Sequence, residues 1–322
     1  MEVSVVVCTY AMDRLEPFIE AVESALAQTH EELEVVLVVD GNDEVFDHVR
    51  ERFGPDSDVA AGVDGDIVLH CNEENRGISY SRTKGAELAS GEVVAFIDDD
   101  AVAEPDWIEQ LVDVYNSTDT LAVGGYVAPE WVTEKPDFFP EEFYWLVGCT
   151  ERGFAEDGEE VRNTYGSNVS YRRSAFLSVG GYDANTGRKG DRHVQAHEAP
   201  VGIRLRERYG HGVSYTEDAV VHHKLFEYRG EFRWLLFRSF WQGFSKRVMA
   251  ILYPGGQGNE GAYLRDLFVR YLPGRIKKAI LGPSLAQAKQ IVAILAFTTA
   301  VGLGYLYGLT KPRHELLREE SE

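Results

Sequence analysis

Val93-Val94-Ala95-Phe96-Ile97-Asp98-Asp99-Asp100 sets five apolar residues directly against three carboxylates. A short apolar run rich in β-branched residues reads as a buried strand, and the acids mark its end. Three adjacent carboxylates repel one another unless a cation or hydrogen bonds offset the charge. Hard oxygen ligands suit Mg²⁺ or Mn²⁺, which bridge carboxylates and phosphate oxygens. A solvated turn is the plainer alternative.

The residues on either side repeat the strand pattern and alternate it with helical spacing. Val3 to Cys8 is a strand, and Leu15, Phe18, Ile19, Val22, Ala25 and Leu26 then recur on one helical face. Glu34 to Val39 is a second strand ending at Asp40-Gly41-Asn42-Asp43, a turn-rich tip. Ile67 to Cys71 is a third, followed by Asn72-Glu73-Glu74-Asn75-Arg76-Gly77 and a helix from about Ile78 to Ala89. Pro105 opens a helix running to about Tyr115. Strands alternating with helices predict an α/β fold: a Rossmann-like, mostly parallel sheet flanked by helices. Ligands of such sheets bind beyond the carboxyl ends of the strands, so Thr9-Tyr10, Asp40, the Asn72 to Gly77 loop and Asp98 to Asp100 are the tips to examine.

Leu121 to Tyr126 is a fifth strand, after which aromatics (Trp131, Phe138, Phe139, Phe143, Tyr144, Trp145) replace the regular pattern. Strand-like Asn168 to Tyr171 and Gly180-Gly181-Tyr182-Asp183 precede a basic loop, Asn185 to Gln195, then His197-Glu198 and a helix to about Arg208. This domain is expected to span 1–228 and to close near Val220-Val221-His222-His223. Asn116 and Asn168 head glycosylation sequons, which a domain facing the cytoplasm would not have modified.

Net charge is −21, with 9 Lys against 23 Arg, a balance like that of proteins from salt-loving archaea. Such acidity argues against general nucleic-acid binding. From Arg229 to Lys289 the balance inverts, with eleven Lys or Arg against three Asp or Glu. That stretch, 229–289, predicts basic amphipathic helices at an anionic lipid interface. Gln290 to Leu309 is twenty residues without charge, the length of a membrane-spanning helix, and 310–322 is a charged tail. A core helix is the alternative. Three widely spaced cysteines without metal spacing predict a reduced, intracellular protein, and Met1-Glu2 runs into a strand too short for a signal peptide.

The ordered set Ser4-Val5-Val6-Val7-Cys8-Thr9-Tyr10, Asp40, Asn75-Arg76-Gly77, Arg82 and Phe96-Ile97-Asp98-Asp99-Asp100 resembles the family 2 glycosyltransferases of GT-A fold. The resemblance covers roughly residues 3 to 225. It implies that Asp40 contacts the nucleotide base, Asp98 the ribose side, and Asp100 the metal, Mn²⁺ or Mg²⁺. Thr9, Tyr10, Asn75 and Arg82 would lie beside the nucleotide or diphosphate, with Asp99 the variable middle acid. Asp98 and Asp100 would point away from Asp99 if the strand continued through them.

The family's base follows a Gly-Gly-aromatic-Asp segment and opens a helix, which implies Glu198, with Asp191 as the substitute because Ala199 replaces the second acid of the usual pair. Arg188, Lys189 and Arg192 are candidates for gripping the diphosphate or an acceptor phosphate. One of the adjacent histidines, His222 being the choice, is a candidate near the metal. The implied activity is inverting transfer of a sugar, with a hexuronic acid among the candidates, from a nucleotide-sugar donor to a dolichyl- or polyprenyl-phosphate-linked glycan. It would occur at the cytoplasmic side of the cell membrane, as in haloarchaeal transferases of protein N-glycosylation. A polysaccharide-synthesising transferase and a non-catalytic, membrane-anchored binding protein remain as alternatives. A sugar nucleotidyltransferase would need a Gly-rich basic loop where Cys8 to Asp13 stands.

Overall fold

The computed structural model describes residues 1–59, 66–183, 198–254, 258 and 260–312. They fall into two compact units. The first takes in the described residues of 1–128, 155–183 and 198–224, and the second those of 129–154 and 225–312. The boundary near 228 thus lies at Lys224, and the aromatic segment 129–154 groups with the C-terminal helices rather than with the domain expected over 1–228.

The first unit is built on parallel strands β1 (Val3–Thr9), β2 (Leu33–Val39), β3 (Asp66–Cys71) and β4 (Val93–Asp98), in the order β3-β2-β1-β4. β1, β2 and β4 are almost wholly apolar because both their faces are covered, whereas the residues of β3, at the end of the strand order, are only partly buried or exposed. Val5, Val7, Val35, Leu37, Ala95 and Ile97 join one core with α1 (Leu15–Leu26), α2 (Asp43–Phe53) and α4 (Trp107–Ser117). On the opposite face α3 (Ile78–Leu88) lies so close that a Cβ on Gly85 would stand 2.4 Å from Val6 Cγ1. Each fully buried valine contributes roughly 1.5–3 kcal/mol relative to exposure. Asn42 caps α2 by accepting from Val45 N at 3.2 Å, worth about 1 kcal/mol.

Beyond β4 the sheet continues with β8 (Val169–Arg172), β6 (Ala122–Trp131), β9 (Val213–Leu225) and β5 (Ala101–Ala103), and β7 (Glu160–Val161) pairs with β9. β4 with β8, β8 with β6 and β9 with β5 run antiparallel. Asn168 is fully buried, accepting from Trp107 Nε1 at 2.8 Å and donating to Ala219 O at 2.8 Å, so its sequon is a core fastening. Gly180 and Gly181, read as strand-like, instead form a turn with φ of 87° and 62° after α5 (Arg173–Ser178). Helix α6 (Glu198–Tyr209) follows.

In the second unit α7 (Phe232–Leu252) packs on α10 (Leu285–Thr310), which begins earlier than the uncharged stretch 290–309. Glycines allow the approach: a Cβ on Gly304 would meet Phe240 O at 1.8 Å, and one on Gly243 would meet Val301 O at 1.9 Å. Phe297 of α10 packs against Phe139, Phe143 and Phe232 at centroid distances of 6.2, 5.5 and 5.5 Å. Val292, Leu295, Leu303, Leu306 and Leu309 remain exposed, as do Ile276 and Ile280 of α9 (Leu272–Leu281), which comes after α8 (Glu260–Asp266). By length and apolar composition α10 can cross a membrane.

Candidate active site

The acids cluster where the sheet changes direction. β4 ends at Asp98, Asp99 and Asp100 form a turn, and β5 starts at Ala101, so the strand does not carry alternation through the triplet. β9 pairs His223 with Ala101, one residue past the turn. Asp98, Asp100 and His223 each offer a ligand atom, all within 4.8 Å of one another. His223 Nε2 lies 3.1 Å from Asp100 Oδ1, with both side chains buried. His222, the histidine expected near the metal, faces the other side of β9 and meets Glu104 at 2.6 Å. It does not join the cluster because strand neighbours point to opposite faces.

Arg14, from the turn Met12–Arg14 after β1, places one guanidinium nitrogen 2.9 Å from Asp100 Oδ2 and 3.3 Å from Asp99 Oδ1. Thr9 Oγ1 donates to Asp99 Oδ2 at 3.2 Å. Burial, then the neighbouring Asp100 charge, pushes the Asp99 carboxyl up to about 7, against a smaller lowering by Arg14. Asp99 is therefore a held member of the site rather than a loose middle residue.

Asp98 shares the even-numbered face of β4 with Phe96, the face that α3 covers, and there it pairs with the buried Arg82. The Arg82 guanidinium lies 5.5 Å from the Tyr182 ring centroid. A Cβ on Gly166 would stand 2.4 Å from Arg82 Nη1 and 2.7 Å from Glu198 Oε1, so both groups converge on that glycine. Glu198 opens α6, where a carboxylate also meets the positive end of the helix dipole. Cys8 lies beneath these charges, and burial raises its thiol far above the usual range, leaving it neutral.

Asp40 is buried and spends its carboxylate on the neighbouring loop, accepting from Asn72 Nδ2 at 2.7 Å, Arg76 N at 3.0 Å and Gly77 N at 2.7 Å. Gly41, at φ 67°, lets that loop approach, since a Cβ would fall 2.1 Å from Asn75 N. Asn75 is exposed on the loop, and Tyr10 is 51% exposed at the strand tip. Asp191, Arg188, Lys189 and Arg192 lie outside the described residues.

A sequence model of glycosyl transferase family 2 matches residues 4–180, which takes in β1, the Asp40 tip, Arg82 and the acidic turn. The chain belongs to glycosyltransferase family 2. This glycosyltransferase is 65% identical over 313 residues, 97% of each chain, to a Haloferax volcanii protein named glucosyl-dolichyl phosphate glucuronosyltransferase. A mannosyltransferase from Pyrobaculum calidifontis, solved with GDP-Man and Mn²⁺, shares the GT-A fold at TM-score 0.57 and 18% identity, covering 96% of this chain and 86% of that one. GalNAc-T7, solved with UDP, GalNAc and Mn²⁺, is similar at TM-score 0.51 and 15% identity, covering 80% and 51%.

Of the residues that sequence reading put in this glycosyltransferase's site, the fold brings Thr9, Asp98, Asp99 and Asp100 together, with Arg82 and Glu198 beside them. It adds His223 and Arg14. His223 carried a legible signal: Ala219, Val221, His223 and Leu225 form the buried alternate set of β9. Arg14 carried none, because its contacts depend on how the turn after β1 folds back over the acids.

Proposed function

We propose that this glycosyltransferase moves a glucuronosyl unit from a nucleotide-sugar donor to glucose carried on dolichyl phosphate. The observation that carries this reading is the 65% identity, across 97% of both chains, to the Haloferax volcanii glucuronosyltransferase named above.

The donor set fits a divalent cation, since two hard carboxylates and one imidazole suit Mn²⁺ or Mg²⁺. Asp98, Asp100 and His223 would hold it, and it would supply positive charge for the donor's diphosphate. Asp40 keeps in place the loop bordering the nucleoside, with Tyr10 and Asn75 at its rim. Arg82 fixes the Asp98 carboxylate and adds positive charge beside it. Glu198, with Asp191 as the substitute, takes the acceptor hydroxyl proton as that oxygen bonds to the anomeric carbon and the bond to the diphosphate oxygen breaks, with inversion. Arg188, Lys189 and Arg192 serve the diphosphate or the acceptor phosphate.

Exposed Ile276 and Ile280 beside Lys277 and Lys278, together with the apolar face of α10, support seating on anionic lipid at the cytoplasmic side of the cell membrane. Purified protein given nucleoside-diphosphate glucuronate, Mn²⁺ and glucosyl-dolichyl phosphate should yield the lipid heavier by one glucuronosyl unit in mass spectrometry. Transfer only to some other lipid-linked glycan contradicts the acceptor assignment.

A further inference from the structure

We propose that Arg14 is a two-position residue of the donor site: it bridges Asp99 and Asp100 before a divalent cation binds, and engages the donor's diphosphate once that cation is held. The inference rests on the metal and donor reading above. Both oxygens of Asp100 are engaged, Oδ1 by His223 at 3.1 Å and Oδ2 by Arg14 at 2.9 Å. The same Arg14 nitrogen reaches Asp99 Oδ1 at 3.3 Å. A dication sharing Asp100 would bring two cations onto one carboxylate, and like charges at that range repel strongly in a buried setting.

Arg14 is the partner able to yield. Its side chain keeps 20% exposure against 4% for Asp100, and its turn neighbours Met12 and Asp13 are exposed, so the guanidinium has a way out toward solvent. The anion brought to the same cation is the diphosphate, and guanidinium matches phosphate oxygens in charge and in paired donor geometry. The triplet is thus compensated in both states, first by Arg14 and then by the metal.

The proposal expects two effects of opposite sign. In Arg14→Gln, Mn²⁺ affinity of donor-free protein, read by electron paramagnetic resonance of free Mn²⁺, should rise about tenfold because a competing cation is gone. Nucleoside diphosphate affinity at saturating Mn²⁺, read by calorimetry, should fall at least about tenfold, while the parent nucleoside is unaffected. Arg14→Lys, which keeps the charge but loses the fork, should fall between wild type and Arg14→Gln in both measurements. A purely structural role would weaken both affinities together, and that result, or no change in either, overturns the proposal while the metal site stands. A wild-type protein that binds neither Mn²⁺ nor nucleoside diphosphate overturns the underlying site reading along with it.

Discussion

His223 and Asp100 meet through a contact of 3.1 Å between the imidazole Nε2 and the carboxylate Oδ1, with side-chain exposures of 7% and 4%. The strand register makes this contact: β9 lays His223 opposite Ala101, directly after the acidic turn. A histidine thereby joins two carboxylates from a segment more than a hundred residues distant in sequence.

His223→Ala should lower apparent Mn²⁺ affinity, and turnover at limiting Mn²⁺, by at least about tenfold. His222→Ala should stay within about twofold, because His222 pairs with Glu104 outside the cluster. Metal titrations of activity for the two variants check this, and equal losses would count against His223 as a ligand.

Asp99 gives the metal-free protein a characteristic pH response. Its carboxyl titrates at about 7 when folded, against an ordinary value of 3.8, chiefly through burial. The folded state keeps a proton that the unfolded chain releases, so the contribution of Asp99 to stability is complete below about pH 4 and lost as pH rises toward 7. Denaturant unfolding in EDTA should show wild type losing more stability than Asp99→Asn between pH 5 and pH 8, by on the order of 3 kcal/mol. Parallel pH profiles would contradict the assignment.

Asp40→Ala should destabilise the first unit by about 2–4 kcal/mol, since one buried and two part-buried donors lose their acceptor. Asn72, Arg76 and Gly77 would then lack the anchor that orders their loop. Faster hydrogen exchange at the Arg76 and Gly77 amides is the specific readout, and unchanged exchange would remove Asp40 as the anchor.

Gly304→Val should separate α7 from α10, because its Cβ alone would fall 1.8 Å from Phe240 O. Overpacking of this kind costs on the order of 1–3 kcal/mol, visible as a lowered unfolding midpoint in detergent. Gly302→Val, with open space around its Cβ, is the control and should leave that midpoint in place.

The parallel half of the sheet was legible because three of its strands, β1, β2 and β4, are buried on both faces. Val3 to Cys8, expected from the run of β-branched residues, is strand Val3–Thr9, and Val93 to Ile97 gains only Asp98. β9 shows in the sequence only as the closing stretch around Val220-Val221 because Glu217-Asp218 interrupts its apolar pattern, yet the strand runs through thirteen residues. Period-two spacing from Val221 to Leu225 points to His223, whereas adjacency alone left the two histidines equivalent. The aromatic segment had no readable period. Glu141–Val147 is a 3₁₀ helix, and Phe139 and Phe143 pack on Phe297 about 150 residues later, a relation that no local spacing encodes.

Donor turnover by Asp100→Ala tests the central claim most directly. If Asp98, Asp100 and His223 hold the divalent cation that the transfer requires, this variant should lose at least about a hundredfold in Mn²⁺-supported transfer while keeping the wild-type circular dichroism spectrum. EDTA should reduce wild type in the same way, with activity returning on adding Mn²⁺. Wild-type rates from Asp100→Ala, undiminished in EDTA, would contradict the account.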